Sequence, residues 1–197
     1  MATLTDRLAS IAVQRLDEGW RVPLVSHFLS LPPGDRSLRF GIALAPSFIA
    51  SYVERINFAR DTVFGVHDDN LALVGVAHVA IEGHSAELGL SVLPEHRRRG
   101  VGRALFERAV AHARNRRVLR FCVDFLSANA PILRMVQKFG MKIVSLGIEA
   151  HAELELPEPS AASVAEERVA DTLARCDRAW KALIARWARR RVTGGNP

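Results

Sequence analysis

The chain has 197 residues, 49% of them hydrophobic and 24% charged. That balance suits one globular domain with some appended helix, excludes a disordered or fibrous chain, and is short for two full domains. The net charge of +6 is almost all arginine, with lysine only at Lys138, Lys142 and Lys181, so overall basicity reads as composition and only a local cluster would point to an anionic ligand.

In chain order, Leu4, Leu8, Ile11, Ala12 and Leu16 recur at helical spacing, and Trp20–Leu31 reads as a second helix stopped by Pro32-Pro33-Gly34. Ser37–Ile42 reads as a strand. Pro46-Ser47 then opens a helix with Phe48, Ile49, Tyr52, Val53 and Ile56 on one face. Three strands follow, Thr62–His67, Leu71–Ile81 and Glu87–Leu93, separated by Asp68-Asp69-Asn70 and Glu82-Gly83-His84. A helix over Gly100–Arg114, a strand over Val118–Phe125, a helix over Ala130–Phe139 and strands at Met141–Leu146 and His151–Leu156 complete the alternation. Strand, helix, strand implies a parallel crossover, so the predicted sheet is mixed and mostly antiparallel.

Residues 157–162 have linker composition. Beyond them, residues 163–191 read as one amphipathic helix, with a capping box at Ser163 and Glu166. Val169, Leu173, Cys176, Trp180, Leu183 and Trp187 form its stripe, which predicts burial against the chain's own domain or a second copy in a homodimer.

The charge-poor stretches Phe40–Arg55 and Leu71–Ile81 hold a proline and serines or are too short to span a bilayer. Asp6 and Arg7 interrupt any signal pattern. Cys122 and Cys176 lack metal or redox spacing, and the histidines show no ligand spacing. The expectations are a cytoplasmic protein with no metal and no membrane partner, and Cys122 as a core thiol.

The informative stretch runs from Leu90 to Leu105. An apolar strand ends at Pro94, a loop carries Arg97, Arg98 and Arg99, and Gly100 and Gly102 stand at the mouth of an amphipathic helix. Unpaired amides and the positive dipole of a helix start bind anions, and glycine lets the backbone approach them. The spacing excludes two common phosphate loops: Leu105 stands where the dinucleotide fingerprint needs a third glycine, and no Gly-Lys-Ser/Thr is present.

What remains, Arg97-x-x-Gly100-x-Gly102 between a strand and a helix, resembles the pyrophosphate motif of the GNAT superfamily of N-acetyltransferases. Asn129 followed by Lys138-Phe139-Gly140-Met141 is similar to its downstream elements, and Ala86-Glu87 and Leu38-Arg39-Phe40 resemble bacterial protein-lysine acetyltransferases. The likeness covers residues 22–156. It implies an α/β GNAT fold with a mixed, mostly antiparallel twisted sheet flanked by helices. Residues 1–35 would add amino-terminal helices, 36–156 would be the acyltransferase domain, and the long helix would follow.

The resemblance further implies an acetyl-CoA or other acyl-CoA cosubstrate, held by the backbone of Leu90, Ser91 and Val92 and by Arg97, Arg98, Arg99, Gly100, Val101, Gly102 and Arg103. Asn129 is a cofactor contact or a plain helix cap. Three departures stand out: Val136 occupies the place where the family often has a tyrosine acid, Met141 replaces a phenylalanine, and helices precede the first strand. Ser127 is a candidate proton relay.

Acyl transfer to an amine with a pKa near ~10.4 costs about 4 to 5 kcal/mol of deprotonation at neutral pH, so a base is useful. Strand alternation puts Glu87, Gly89 and Ser91 on one face, which sets the Glu87 carboxylate toward a substrate cleft. The expected activity is direct acetyl transfer to a primary amine, protein lysine or a small molecule. The alternatives are a non-catalytic acyl-CoA-binding regulatory module and, with less support, a nucleic-acid binder using the Arg186–Arg191 tail.

Overall fold

A computed structural model of the chain describes residues 11–42 and 44–193. Its sheet comprises β1 (Gln14–Leu16), β2 (Thr62–His67), β3 (Leu73–Glu82), β4 (Ser85–Val92), β5 (Arg120–Leu126), β6 (Lys142–Leu146) and β7 (Glu149–Glu155). The strand order is β1-β2-β3-β4-β5-β7-β6. Every neighbouring pair is antiparallel except β4 with β5. The helices are α1 (Arg21–Ser30), α2 (Pro33–Phe40), α3 (Pro46–Glu54), α4 (Val101–Asn115), α5 (Ala130–Lys138) and α6 (Ala161–Thr193).

The period of two along the strands divides the interior into two cores. Phe64 and Ala77 point to the side covered by α4, where Leu105, Phe106 and Phe121 are fully buried. Val63 and Val76 point to the other side, under Leu24 and Phe28 of α1 and Ile49 and Val53 of α3. Apart from the small Ala77, each of these side chains contributes about 1.5–3 kcal/mol by leaving water.

Several expectations from the sequence need correction. Leu4 and Leu8 lie outside the described residues, but the rest of that stripe is not helical: Gln14–Leu16 is a strand that pairs with Val63–Gly65 at the sheet edge. The region before residue 36 therefore supplies a first strand as well as a helix. A three-residue strand is too short to print its period over a coincidental helical spacing. Ser37–Ile42 is not a strand but the second half of α2 and its end. Pro33 fills the first turn of that helix, where a missing N–H costs nothing, and Gly41 closes it at φ 78°.

The start of α6 also differs. Ser160, not Ser163, is the cap: Ser163 N–H donates to Ser160 Oγ (3.1 Å) and Ser160 N–H donates to Ser163 Oγ (3.0 Å). The box lies three residues earlier because Ser163 can answer Ser160 as Glu166 was expected to answer Ser163.

The apolar stripe of α6 is not what faces the domain either. Val169, Leu173, Trp180, Leu183 and Trp187 are between 45% and 63% exposed, whereas Ser163 and Ala174 are buried. The docked face is polar because α4 presents Arg108, His112 and Asn115. Glu167 accepts from His112 Nδ1 (2.7 Å) and Asn115 Nδ2 (2.7 Å) and pairs with Arg108 (3.4 Å), and Arg108 also pairs with Asp171. Farther along, Lys181 donates to His67 O at the end of β2 (3.2 Å), and the Arg178 guanidinium lies 4.5 Å from the Trp20 ring centre.

No described helix is long and apolar enough to cross a membrane.

Candidate active site

Strands β4 and β5 pair only through Ser85, Ala86 and Glu87 against Arg120, Phe121 and Cys122. Beyond that point they part, and the gap leads toward the loop after β4. This loop makes a one-turn 3-10 helix at Pro94–His96, places Arg98 at φ 58° and Gly100 at φ 86°, and then enters α4. Left-handed residues among ordinary ones turn successive amides inward as an anion nest. Gly100 caps α4 with no side chain, so the first-turn amides of Val101, Gly102 and Arg103 are available to a ligand. A Cβ on Gly102 would come within 3.2 Å of Met135 Cε, so a bulkier residue there would wedge α4 away from α5.

A groove of about 830 Å³ follows this path, lined by Leu90, Ser91, Val92, Arg97, Arg98, Gly100, Gly102 and Arg103. Asn129 and Arg134 line it from α5. Arg134 was not singled out in the sequence, although its position one turn after Pro131 could have placed it on the same face. Arg99 and Val101 do not line the groove, and the Val101 side chain is buried in the core.

The predicted cofactor residues differ in what they have free. Arg97 donates through Nε to Val92 O (3.0 Å) and pairs with Asp35 of α2 (2.7 Å), so it ties α2 to the loop. Arg103 is engaged by Glu107 at 2.7 Å. Ser91 is turned from the groove at its hydroxyl: His27 Nδ1 meets Leu73 O at 2.9 Å and its Nε2 meets Ser91 Oγ at 2.8 Å. Asn129 caps α5, accepting from Ile132 N–H at 3.3 Å, and also contacts Leu38 O at 3.5 Å.

A second cavity of about 530 Å³ meets the groove at Leu38, Arg39, Leu90, Asn129 and Ile132. Glu87, Asp124 and Glu149 give it carboxylates, with His151 held against Asp124 at 2.6 Å, and Arg39 and Arg55 give it guanidinium groups. Glu87 is exposed on the face predicted for it, one residue from where the strands part. Phe48, expected to pack inward, is 59% exposed beside this cavity.

Sequence reasoning missed a chain of polar groups beside Glu87. Arg39 Nη2 donates to Tyr52 Oη (3.0 Å), Tyr52 Oη meets His78 Nδ1 (2.7 Å), and His78 Nε2 meets Asp61 Oδ2 (3.4 Å). Burial, then the Arg39 charge, lowers His78 to about 4. His78 is therefore neutral at pH 7; Asp61 fixes its proton on Nε2, and its Nδ1 accepts from Tyr52. The four residues come from α2, α3, the entry to β2, and β3, with no regular spacing that could have joined them.

Three other expectations can be placed. Val136 is fully buried in the core, so its side of α5 offers no acid. Ser127 donates to Gly147 O (3.0 Å) and lines neither cavity. Cys122 is half-buried on the open face of the sheet and not in the core, because its neighbours Phe121 and Val123 take the inward positions. Burial and then the Glu153 and Asp124 charges raise its pKa, so it stays a protonated thiol.

Burial also lowers His27 and His67 to about 4. In the unfolded chain a histidine titrates near 6.5. Between pH 6.5 and 4 the unfolded state thus binds more protons at His27, His67 and His78, and stability falls as pH falls. Thermal melts are expected to give a lower midpoint at pH 5 than at pH 7.5, with His27→Gln reducing that difference; equal midpoints would contradict these burials.

A parted sheet with an amide nest at one end and a second cavity at the other is the arrangement of a group-transfer enzyme acting on a long anionic donor. The sequence profile of the acetyltransferase (GNAT) family matches residues 37–141, and the chain belongs to that family. It is an N-acetyltransferase, and its groove fits an acyl-CoA cosubstrate.

Solved structures agree in fold. The chain superposes on the GNAT domain of PAT from S. lividans with a TM-score of 0.64, at 19% identity, covering 73% of this chain and 89% of that one. It also matches YncA from Salmonella typhimurium, a putative acetyltransferase solved with acetyl-CoA, with a TM-score of 0.60 at 17% identity over 78% of this chain and 98% of that one. PaiA N-acetyltransferase from Thermoplasma acidophilum, solved with coenzyme A, gives 0.58 at 17% identity over 74% and 99%. No protein of curated function matches the sequence.

Proposed function

We propose that this protein transfers acetyl from acetyl-CoA directly to a primary amine, a protein lysine or a small molecule, within a ternary complex. The carrying observation is the parting of β4 and β5 just after Glu87, in line with the amide nest at Gly100–Arg103. In this reading the nest and the Arg98 side chain hold the pyrophosphate. The backbone of Leu90, Ser91 and Val92 pairs with the pantetheine arm, which runs back toward Glu87.

The acceptor enters through the 530 Å³ cavity, where the carboxylates of Glu87, Asp124 and Glu149 outnumber the guanidinium groups of Arg39 and Arg55. Glu87, or a water it orders, takes the amine proton. The nitrogen bonds to the acetyl carbon, the carbon–sulfur bond breaks, and CoA departs. The protonated state of Cys122 supports direct attack rather than transfer through an acyl-cysteine.

The test is calorimetry with acetyl-CoA. Wild type is expected to bind at one site, and Gly100→Glu/Gly102→Glu to weaken binding at least about tenfold by placing carboxylates where phosphate oxygens belong. No binding by folded wild type would overturn the proposal. Binding with no turnover over a broad amine panel would favour the regulatory module.

A further inference from the structure

Arg39 is a cation held in no ion pair among the described residues. Among those residues its one hydrogen bond is to the Tyr52 hydroxyl, and its Nε is buried without a partner. Its guanidinium carbon lies 4.9 Å from the Phe40 ring centre and 5.8 Å from those of Phe28 and Tyr52. Withdrawing an unpaired charge from water is costly, and an orphaned polar group in a native structure calls for an explanation.

The position of Arg39 supplies one. The guanidinium lies flat on the backbone of Gly89, where a Cβ would be only 2.0 Å from Nη2. Gly89 is two residues past Glu87, beyond the last β4–β5 pair. Arg39 also lines both the cofactor groove and the acceptor cavity. If pantetheine follows β4 from the nest toward Glu87, its sulfur reaches this junction.

We infer that Arg39 stabilises the departing CoA thiolate, an electrostatic role in place of a protein acid, which rests on the acetyl-CoA reading above. As the amine nitrogen bonds to the carbonyl carbon, its proton passes to Glu87 and the sulfur leaves with the carbon–sulfur electron pair. Arg39 holds that negative charge without giving up a proton, and solvent protonates the thiolate as CoA is released. Preorganised charge in a partly dry site needs no rearrangement at the moment of reaction. Tyr52 is a positioning residue. With its own proton turned to His78, its oxygen is left to accept from Arg39, and Asp61 fixes the tautomer that makes this so.

The groups around Arg39 are Tyr52 from α3, His78 from β3 and His27 from α1, and the cavity it lines also carries Glu87 from β4, Asp124 from β5, Glu149 and His151 from β7, and Arg55 at the end of α3. The Arg97–Asp35 pair lies on the groove side and is self-compensating.

The experiment needs no acceptor. CoA and acetyl-CoA are titrated into the full-length protein at pH 8 in buffers of different ionisation heat, giving affinity and protons released. An ordinary thiol has a pKa near ~8.5, and a neighbouring cation lowers it to about 7, so wild type is expected to release roughly two-thirds of a proton on binding CoA and none with acetyl-CoA. Arg39→Gln should abolish the release while leaving acetyl-CoA affinity within about threefold. Arg39→Lys should restore part of it. Tyr52→Phe, which keeps the ring packing, should reduce it and serves if Arg39→Gln does not fold.

Tight CoA binding by wild type with no proton release, or full release by Arg39→Gln or by a folded Tyr52→Phe, would overturn the inference and leave the function standing. An Arg39→Gln variant that loses acetyl-CoA and CoA equally would assign Arg39 to cofactor binding. Failure of wild type to bind either ligand would instead sink the proposed function.

Discussion

Glu87→Gln is expected to lower kcat by about 10²–10⁴-fold at neutral pH, the usual contribution of a positioned base. The substitution keeps the shape and hydrogen-bonding reach of the side chain and removes only the proton acceptor. Acetyl-CoA affinity should not change, because the nest and groove lie farther along β4. The diagnostic readout is the pH profile with an amine that wild type acetylates. In the variant, kcat/KM should climb with pH as the free amine fraction grows, recovering part of the loss by pH 10. A loss under about threefold would remove Glu87 as base and shift attention to Asp124, the exposed carboxylate across the same cavity.

Glu167→Ala should destabilise the fold by about 3–5 kcal/mol, the cost of removing one partner from a buried ionic cluster. Arg108 and His112 are 8% and 3% exposed; Arg108 is shared between Glu167 and Asp171, and His112 Nδ1 is hydrogen-bonded to Glu167. Burial alone would raise the Glu167 carboxyl, but the hydrogen bonds from His112 and Asn115 and the His112 and Arg108 charges outweigh it and hold it at about 2. The carboxylate's contribution is therefore complete above pH 4.5 and is lost as pH falls toward 2.

For a domain of this size about 2–4 °C of melting temperature follows each kcal/mol, so a fall of roughly 10 °C is expected at pH 7 and little at pH 2. A shift below about 2 °C at pH 7 would mean that α6 does not dock on α4 in solution.

The parts of the fold legible in the sequence were those whose signal is local. Thr62–His67 is an apolar run stopped by Asp68-Asp69-Asn70, Glu82-Gly83-His84 marks the turn between β3 and β4, and Arg97-x-x-Gly100-x-Gly102 carries its own backbone chemistry. Glu87 could be oriented because one strand period suffices. What was not legible depends on distant partners. Arg39 sits on a helix that looked like a strand, and its meaning comes from Gly89, Tyr52, His78 and Asp61, which only the tertiary structure gathers. The face of α6 was misjudged for the same reason: the stripe of large apolar residues is the louder pattern, but α4 answers it with Arg108, His112 and Asn115.

The contact between Arg39 and Gly89 also constrains descent. The two residues share one volume, so a side chain can be gained at position 89 only after the one at position 39 has been shortened. The reverse path is equally ordered: a long cation at position 39 must wait for glycine at position 89. Relatives should therefore divide into two lineages, one with arginine over glycine and one with a small residue over a larger one, and intermediates holding both large side chains should be rare.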